Sequence, residues 1–237
     1  MIDARVISIG CLSAHPLWGE RAPVRTGHAT TTLIRSSGAT ILVDPGLPEQ
    51  VIAARLSERA GITPEQVTHV FLSSFHPETH RGLGAFPEAT WLIHHDEREG
   101  QGVPLVHSLK RAADAGERDV VSALEREVAI LQRCRPAPDR LAPGVDLFPL
   151  PGVTPGTCGL LVALNERTLL IAGDAAPTGE HVRRGMVLPV CFDVNRARES
   201  LAEAIQIADL LIPGRDNLIA LDAGPGGPTP DAADTDD

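Results

Sequence analysis

Short apolar strands alternate with amphipathic helices through both halves of the chain, and that order limits the possible folds more than any single motif. Residues 6–9 read as a first strand, followed by a loop at 13–27 that contains Pro16 and Trp18. Residues 32–35 and 40–43 make a hairpin around Ser37-Gly38. Pro48 opens a helix in which Val51, Ile52, Leu56 and Ala60 keep helical spacing, and Gly61 ends it. Thr63 has the form of a cap, with Pro64 at the first position and Gln66 at the third. That turn leads at once into a buried strand at 70–72. Another strand at 89–94 carries Trp91 and Ile93, and a longer helical stretch follows it. There Val120, Val121, Leu124, Val128 and Leu131 form one apolar stripe, with Glu125, Arg126 and Glu127 read as its solvated face. Strands at 146–150, 160–164 and 169–172 come next, the last two joined by a turn at Asn165-Glu166-Arg167. A final helix, with Ala197, Leu201, Ala204, Ile205 and Ala208 on one side, precedes a strand at 210–212. Helices following strands in both halves fit an α/β architecture of two sheets packed face to face between outer helical layers.

The 237 residues suffice for one large domain with a sizeable core. The net charge of −10 argues against nucleic acid and anionic membrane surfaces, which need clustered Lys and Arg. Four of the negative charges lie at Asp231, Asp234, Asp236 and Asp237. Residues 223–237 read as a disordered acidic tail rich in Gly, Pro and Asp, and residues 1–222 as the folded domain. Cys11, Cys134, Cys158 and Cys191 form no C-x-x-C pair and are expected as small buried residues rather than disulfides. No basic segment followed by an apolar run opens the sequence, and no stretch of about 18 apolar residues occurs. A cytoplasmic, membrane-free protein is the expectation.

Five segments carry a resemblance. Residues 70–84 read V-F-L-S-S-F-H-P-E-T-H-R-G-L-G, a buried strand running into a turn. Residues 30–46 read T-T-T-L-I-R-S-S-G-A-T-I-L-V-D-P-G, residues 150–156 L-P-G-V-T-P-G, residues 172–174 A-G-D, and residues 211–216 L-I-P-G-R-D. In this order they resemble the metallo-β-lactamase superfamily, covering roughly residues 4–222. The resemblance implies a four-layered αββα sandwich, with two mixed sheets between outer helices and a metal site at the strand ends.

In that family the segments carry T-H-x-H-x-D-H, P-G-H-T-P-G, a bridging Asp, and I-P-G-H-D. Laid onto those patterns, Ser74 stands in the place of a histidine, His76 keeps one, Glu78 replaces the aspartate, and Thr79 replaces a further histidine. Val153 and Arg215 each stand where a histidine would, and Asp174 is the retained bridge. Two metal ions, each needing at least three protein ligands and an open position, are not supported by the ligands left. Arg215 cannot ligate a metal, because a guanidinium stays protonated. Near Asp174 and Glu78 it can instead supply the positive charge of the missing metal in an ion pair; the other reading has it pointing to solvent.

The remaining histidines are weighed one by one. His80 could swing inward as a replacement ligand, or remain a solvated turn residue. His15 and His28 are read as surface or hydrogen-bonding residues of a loop bordering the cleft, and His69 as structural. His94 and His95 are taken to follow a strand on opposite faces, so that they cannot chelate together. His107 and His181 have no motif around them. Ser74 with His76 as a base would make a hydrolase of another kind.

Three functions remain open. The first is a non-catalytic (pseudoenzyme) protein that binds a small molecule or a protein in the old cleft, with no cofactor. The second is a hydrolase with one weakly held zinc or other divalent metal on His76, Glu78, Asp174 and possibly His80. The third is metal-free catalysis in the cleft. The family acts on thioesters, lactones, lactams and phosphodiesters with one core, so the sequence does not fix a ligand class.

Overall fold

In the computed structural model, which describes residues 2–221, the strands form two six-stranded sheets. In the first, β1 (Asp3–Ser8), β2 (Thr31–Ser36) and β3 (Ala39–Val43) are antiparallel neighbours. Ser37 and Gly38 both have positive φ, 45° and 86°, which suits the two-residue turn of a twisted hairpin. The chain then passes through α1 (Glu49–Ala60) to β4 (His69–Leu72), and through α2 (Pro77–His80) to β5 (Thr90–Ile93). Helices α3 (His95–Asp114) and α4 (Arg118–Arg133) lead to β6 (Arg135–Pro136). β3 through β6 are parallel, as crossover connections require.

The second sheet holds β7 (Arg140–Ala142), β8 (Val145–Pro149), β9 (Cys158–Leu164) and β10 (Arg167–Gly173), all antiparallel. Helices α5 (Gly179–Arg184) and α6 (Val194–Ile207) cross to β11 (Leu210–Pro213), parallel to β10, and β12 (Ile219–Ala220) closes the edge.

Alternation along the strands divides the buried residues into three apolar layers. Leu42, Val70, Leu72 and Ile93 face α1 and α4 together with Ile52, Leu56 and Leu131. Their neighbours Ile41, Val43, Phe71 and Leu92 meet Leu160, Val162, Leu169 and Ile171 between the sheets. On the far side Leu170, Ala172 and Leu211 pack on Val182, Leu201 and Ala204 of α5 and α6. Three apolar interfaces make four layers, αββα, with both sheets mixed.

Several expectations are corrected. The first strand begins at Asp3 and ends before Ile9, which is exposed. The 20-residue α3 was hidden because Gly100, Gly102 and Pro104 interrupt it and its only buried residues are Glu97 and Ala112. His94 and His95 therefore start a helix, as cap and first residue, and strand alternation does not govern them. Val51 is exposed rather than part of the buried face of α1. The short α2, α5, β6, β7 and β12 carry too few residues to show a period. Among the cysteines, all free, Cys134 and Cys158 are buried but Cys11 and Cys191 are partly exposed. The expected tail at 223–237, and the boundary at residue 222, lie outside the described residues. No helix among the described residues is long and apolar enough to cross a membrane.

Candidate functional site

The site forms where β4 and β10 end and the loops after β1 and β11 close over them. Asp174 follows the last residue of β10, and Arg215 lies two residues beyond the end of β11, its parallel neighbour. Arg215 donates Nε–H to Asp174 Oδ1 at 2.8 Å and Nη2–H to Oδ2 at 2.7 Å, a bidentate fork. Its Nη1 also donates to Glu78 Oε2. Side-chain exposure is 4% for Arg215 and 5% for Asp174, against 31% for Glu78, so the first pair is desolvated and the second reaches water. Gly214 makes this approach possible: a Cβ there would stand 2.6 Å from Asp174 Oδ1.

Burial by itself would raise the Asp174 carboxyl, but attraction and hydrogen bonds from Arg215 outweigh it and hold the carboxyl below its ordinary value. His76, half-buried on the turn that also carries Glu78, adds a smaller electrostatic contribution in the same direction. Arg215 is the mirror case. Burial disfavours its charge, yet Asp174 and then Glu78 hold the proton more tightly than in water.

The structure divides the sequence-selected residues into two groups. It brings together Arg215, Asp174 and Glu78, with His76 near Asp174. The others are engaged elsewhere or carry no donor. Thr79 gives its hydroxyl to the carbonyls of Ser74 and His76, both at 2.8 Å, and so closes the turn that starts α2. Ser74 is buried, and its Oγ has no hydrogen-bond partner among the described residues, His76 included. Val153 is buried and contributes only its carbonyl, to Phe192 N–H. His80 is neither inward among the carboxylates nor solvated: it stacks on Phe75, with Nε2 3.1 Å from Glu127 of α4. Glu127 is correspondingly not part of a solvated face.

Three further groups escaped sequence reading. Asp44 sits at the end of β3 with φ of 49° and accepts Ser73 N–H at 2.8 Å and Ser73 Oγ–H at 2.6 Å. Burial pushes its carboxyl up to about 7, with the Ser73 hydrogen bonds opposing and Asp174 adding repulsion. Its place in the L-V-D-P-G segment was a signal that could have been weighed. Glu97 of α3 is fully buried and accepts from Phe75 N–H, Gln101 Nε2, Thr154 Oγ1 and Gly156 N–H, tying two of the family-like loops together. Nothing local in the sequence marks it.

The third group joins the early loop to α5. Thr178 caps α5, and its Oγ1 lies 2.8 Å from His181 Nδ1 and 3.5 Å from His15 Nε2. Burial, and then His15, hold His181 down to about 4, so it stays neutral near pH 7. His15 is only 4% exposed and stacks on Trp18 at 4.1 Å between ring centres, so of its two readings, surface or hydrogen-bonding residue, the structure keeps the second.

A cavity of about 340 Å³ opens beside this group, lined by Cys11, His15, Trp18, Arg25, Thr178 and Arg215 among others. A guanidinium has five N–H donors, and Arg215 spends three on the carboxylates. A separate groove of about 390 Å³ between α3 and α4 is lined by Leu105, Val106 and Leu131 and contains none of the selected site residues.

The family model described as "Metallo-beta-lactamase superfamily" matches residues 24–213. Among solved structures, one assigned as a metallo-beta-lactamase from Thermotoga maritima is 16% identical, with a TM-score of 0.66, covering 92% of this chain and 99% of that one. AidC, a dizinc quorum-quenching lactonase, is 17% identical, with a TM-score of 0.65 and coverage of 84% and 77%. AiiA of B. thuringiensis, seen with N-decanoyl-L-homoserine at its active site, is 18% identical, with a TM-score of 0.62 and coverage of 91% and 92%. A search of curated proteins gives no match.

Proposed function

The chain belongs to the metallo-β-lactamase superfamily, and from that premise we propose that it is a non-catalytic binding member in which an arginine takes the place of the metal. The observation that carries this reading is the Arg215 fork, which occupies both oxygens of Asp174 and one of Glu78. Those carboxylates are the acidic ligands the family's site would use. A divalent cation at the same point would have to displace a fixed, buried monovalent one. The rest of the donor set fits a metal no better: Val153 has no donor atom, Thr79 is committed to backbone carbonyls, and Arg215 stands in a histidine's place. A binuclear centre does not fit these residues.

What the site retains is a cavity with Arg215 in its wall. That supports recognition of a small molecule carrying a hydrogen-bond acceptor. A second reading has one observation in its favour. His76 acts electrostatically on the Asp174 carboxylate, and that reading places one weakly held metal on His76, Glu78 and Asp174. Similar structures described as a dizinc lactonase and a metal-dependent hydrolase fit that reading, at identities that speak to fold alone.

Elemental analysis of the purified chain after mild chelation separates the readings. The expected result is well under one zinc, iron or manganese per chain, and no saturable zinc binding in calorimetry. One metal per chain that disappears in His76→Ala would establish the second reading. Two per chain would overturn both.

A further inference from the structure

Cys11 and His28 form an isolated antiparallel bridge between the two ends of the loop that covers the site. Their backbones exchange both hydrogen bonds, Cys11 N–H to His28 O at 3.0 Å and His28 N–H to Cys11 O at 3.1 Å. Residues directly opposite in such a pair send their side chains to the same face. The result is Cys11 Sγ 3.6 Å from His28 Nδ1, with Thr26 O 3.5 Å from each. The pairing is therefore fixed by the backbone rather than by a chance rotamer.

The other thiols have no such partner. Burial pushes Cys134 and Cys158 up to about 12, and Cys191, raised by burial as well, points its thiol at Leu188 O. Cys11 alone among the cysteines lines the cavity of about 340 Å³. The same wall carries unmet polar groups. His15 Nδ1, in a residue 4% exposed, has no partner among the described residues, and two N–H groups of Arg215 are not used by the carboxylates.

We propose that Cys11 is a site of reversible thiolation by small disulfides, with His28 as the base that takes the thiol proton. The thiolate attacks one sulfur of the disulfide, forming the Cys11 mixed disulfide. The original S–S bond breaks, and the departing thiolate takes a proton from the imidazolium. The disulfide is the oxidant, and a small thiol reverses the step. Acyl transfer at Cys11 fits less well. The backbone N–H groups of Gly10 and Cys11 are spoken for, by Thr30 Oγ1 and His28 O, which leaves neither as a donor for an oxyanion. Disulfide exchange develops charge only on sulfur and needs none. Cys11 and Arg215 line the same cavity, so a group carried on the sulfur borders the cleft. This inference stands whichever reading of the metal site holds.

The test treats the full-length reduced protein with 2-hydroxyethyl disulfide and follows each cysteine by peptide mass spectrometry after acid quench. Cys11 is expected to react at least about tenfold faster than Cys191. His28→Asn should bring Cys11 down to the Cys191 rate while leaving Cys191 unchanged, and a small thiol should remove the adduct. If His28→Asn fails to fold, native Cys11 is compared with Cys11 in the urea-unfolded chain, where the imidazole no longer sits at the sulfur; the native rate should be the higher. Equal rates at Cys11 and Cys191, no effect of His28→Asn, or a faster rate in the unfolded chain would overturn the proposal.

Discussion

Replacing Arg215 by alanine strands two carboxylates, and the cost can be bounded from the structure. Asp174, 5% exposed, loses two charge-assisted hydrogen bonds and the only cation paired with it in a salt bridge among the described residues. It then either stays ionised without a partner or takes up a proton. Protonation sets the ceiling: holding a carboxyl of ordinary pKa near 4 neutral at pH 7 costs roughly 4 kcal/mol, at about 1.4 kcal/mol per unit. Glu78, at 31% exposure, is partly hydrated and adds about 1 kcal/mol or less. Relief of the arginine's own desolvation works in the other direction. The expected loss at pH 7 is therefore about 3 kcal/mol. Its pH dependence is the sharper signature. In the native protein the Asp174 carboxyl is held low, so its contribution is present above its ordinary pKa and is lost as pH falls through the folded value. In Arg215→Ala the same buried carboxyl is raised, and stability falls as pH rises from about 4 towards 7. At pH 5 the ceiling drops to about 1.6 kcal/mol, and the deficit should shrink with it. Urea unfolding at pH 7 and pH 5, followed by tryptophan fluorescence, measures both. A loss under about 1 kcal/mol at pH 7, or the same loss at both pH values, refutes the reasoning.

Arg215→His should not create zinc binding in calorimetry, since Ser74, Thr79 and Val153 still offer the ion nothing; a stoichiometric site in that variant would refute the reading of those positions. Asp44, pushed up to about 7, contributes stability that is full below its unfolded pKa and is lost as pH rises through about 7. Asp44→Asn should remove that falling component, so melting temperatures of the two proteins taken from pH 4 to 8 should converge or cross as pH rises; parallel curves would count against it. Glu97→Gln places a donor among the four donors that meet Glu97 and should cost about 2–3 kcal/mol. A melting temperature within a degree of the parent would show those hydrogen bonds to be dispensable.

Legibility followed the range of the interactions that decide each residue's place. The strand at 40–43 was readable because Ile41, Leu42 and Val43 form a short apolar run next to the Ser37-Gly38 turn; which of them faces which apolar layer is seen only in the fold. Arg215 was readable as a candidate because neighbouring residues L-I-P-G fix its position at a strand end. His15 and His181 were not: they meet through Thr178, 163 residues from His15, and neither has a local pattern that announces burial. Glu97 was hidden for the same reason, its partners lying in loops 22 and 59 residues away. Asp44 was visible as part of a segment, but its raised carboxyl depends on Ser73 and on burial.

On the proposed reading of the site, these long-range contacts also make Ser74, Thr79, Val153 and Arg215 interdependent. A guanidinium at 215 sits well only where two carboxylates face it and no second cation is held beside it; adding ligand histidines at 74, 79 and 153 would recruit a metal against a fixed positive charge. Restoring the histidine at 215 alone removes the cation that Asp174 and Glu78 now need and offers no complete metal site in return. Single reversions should therefore each be less stable than either end state, and only the set of four should bind metal. Measuring the four single reversions and the quadruple variant by urea unfolding, with and without zinc, tests this. A single reversion that keeps parental stability and gains tight zinc binding would show that the positions act independently.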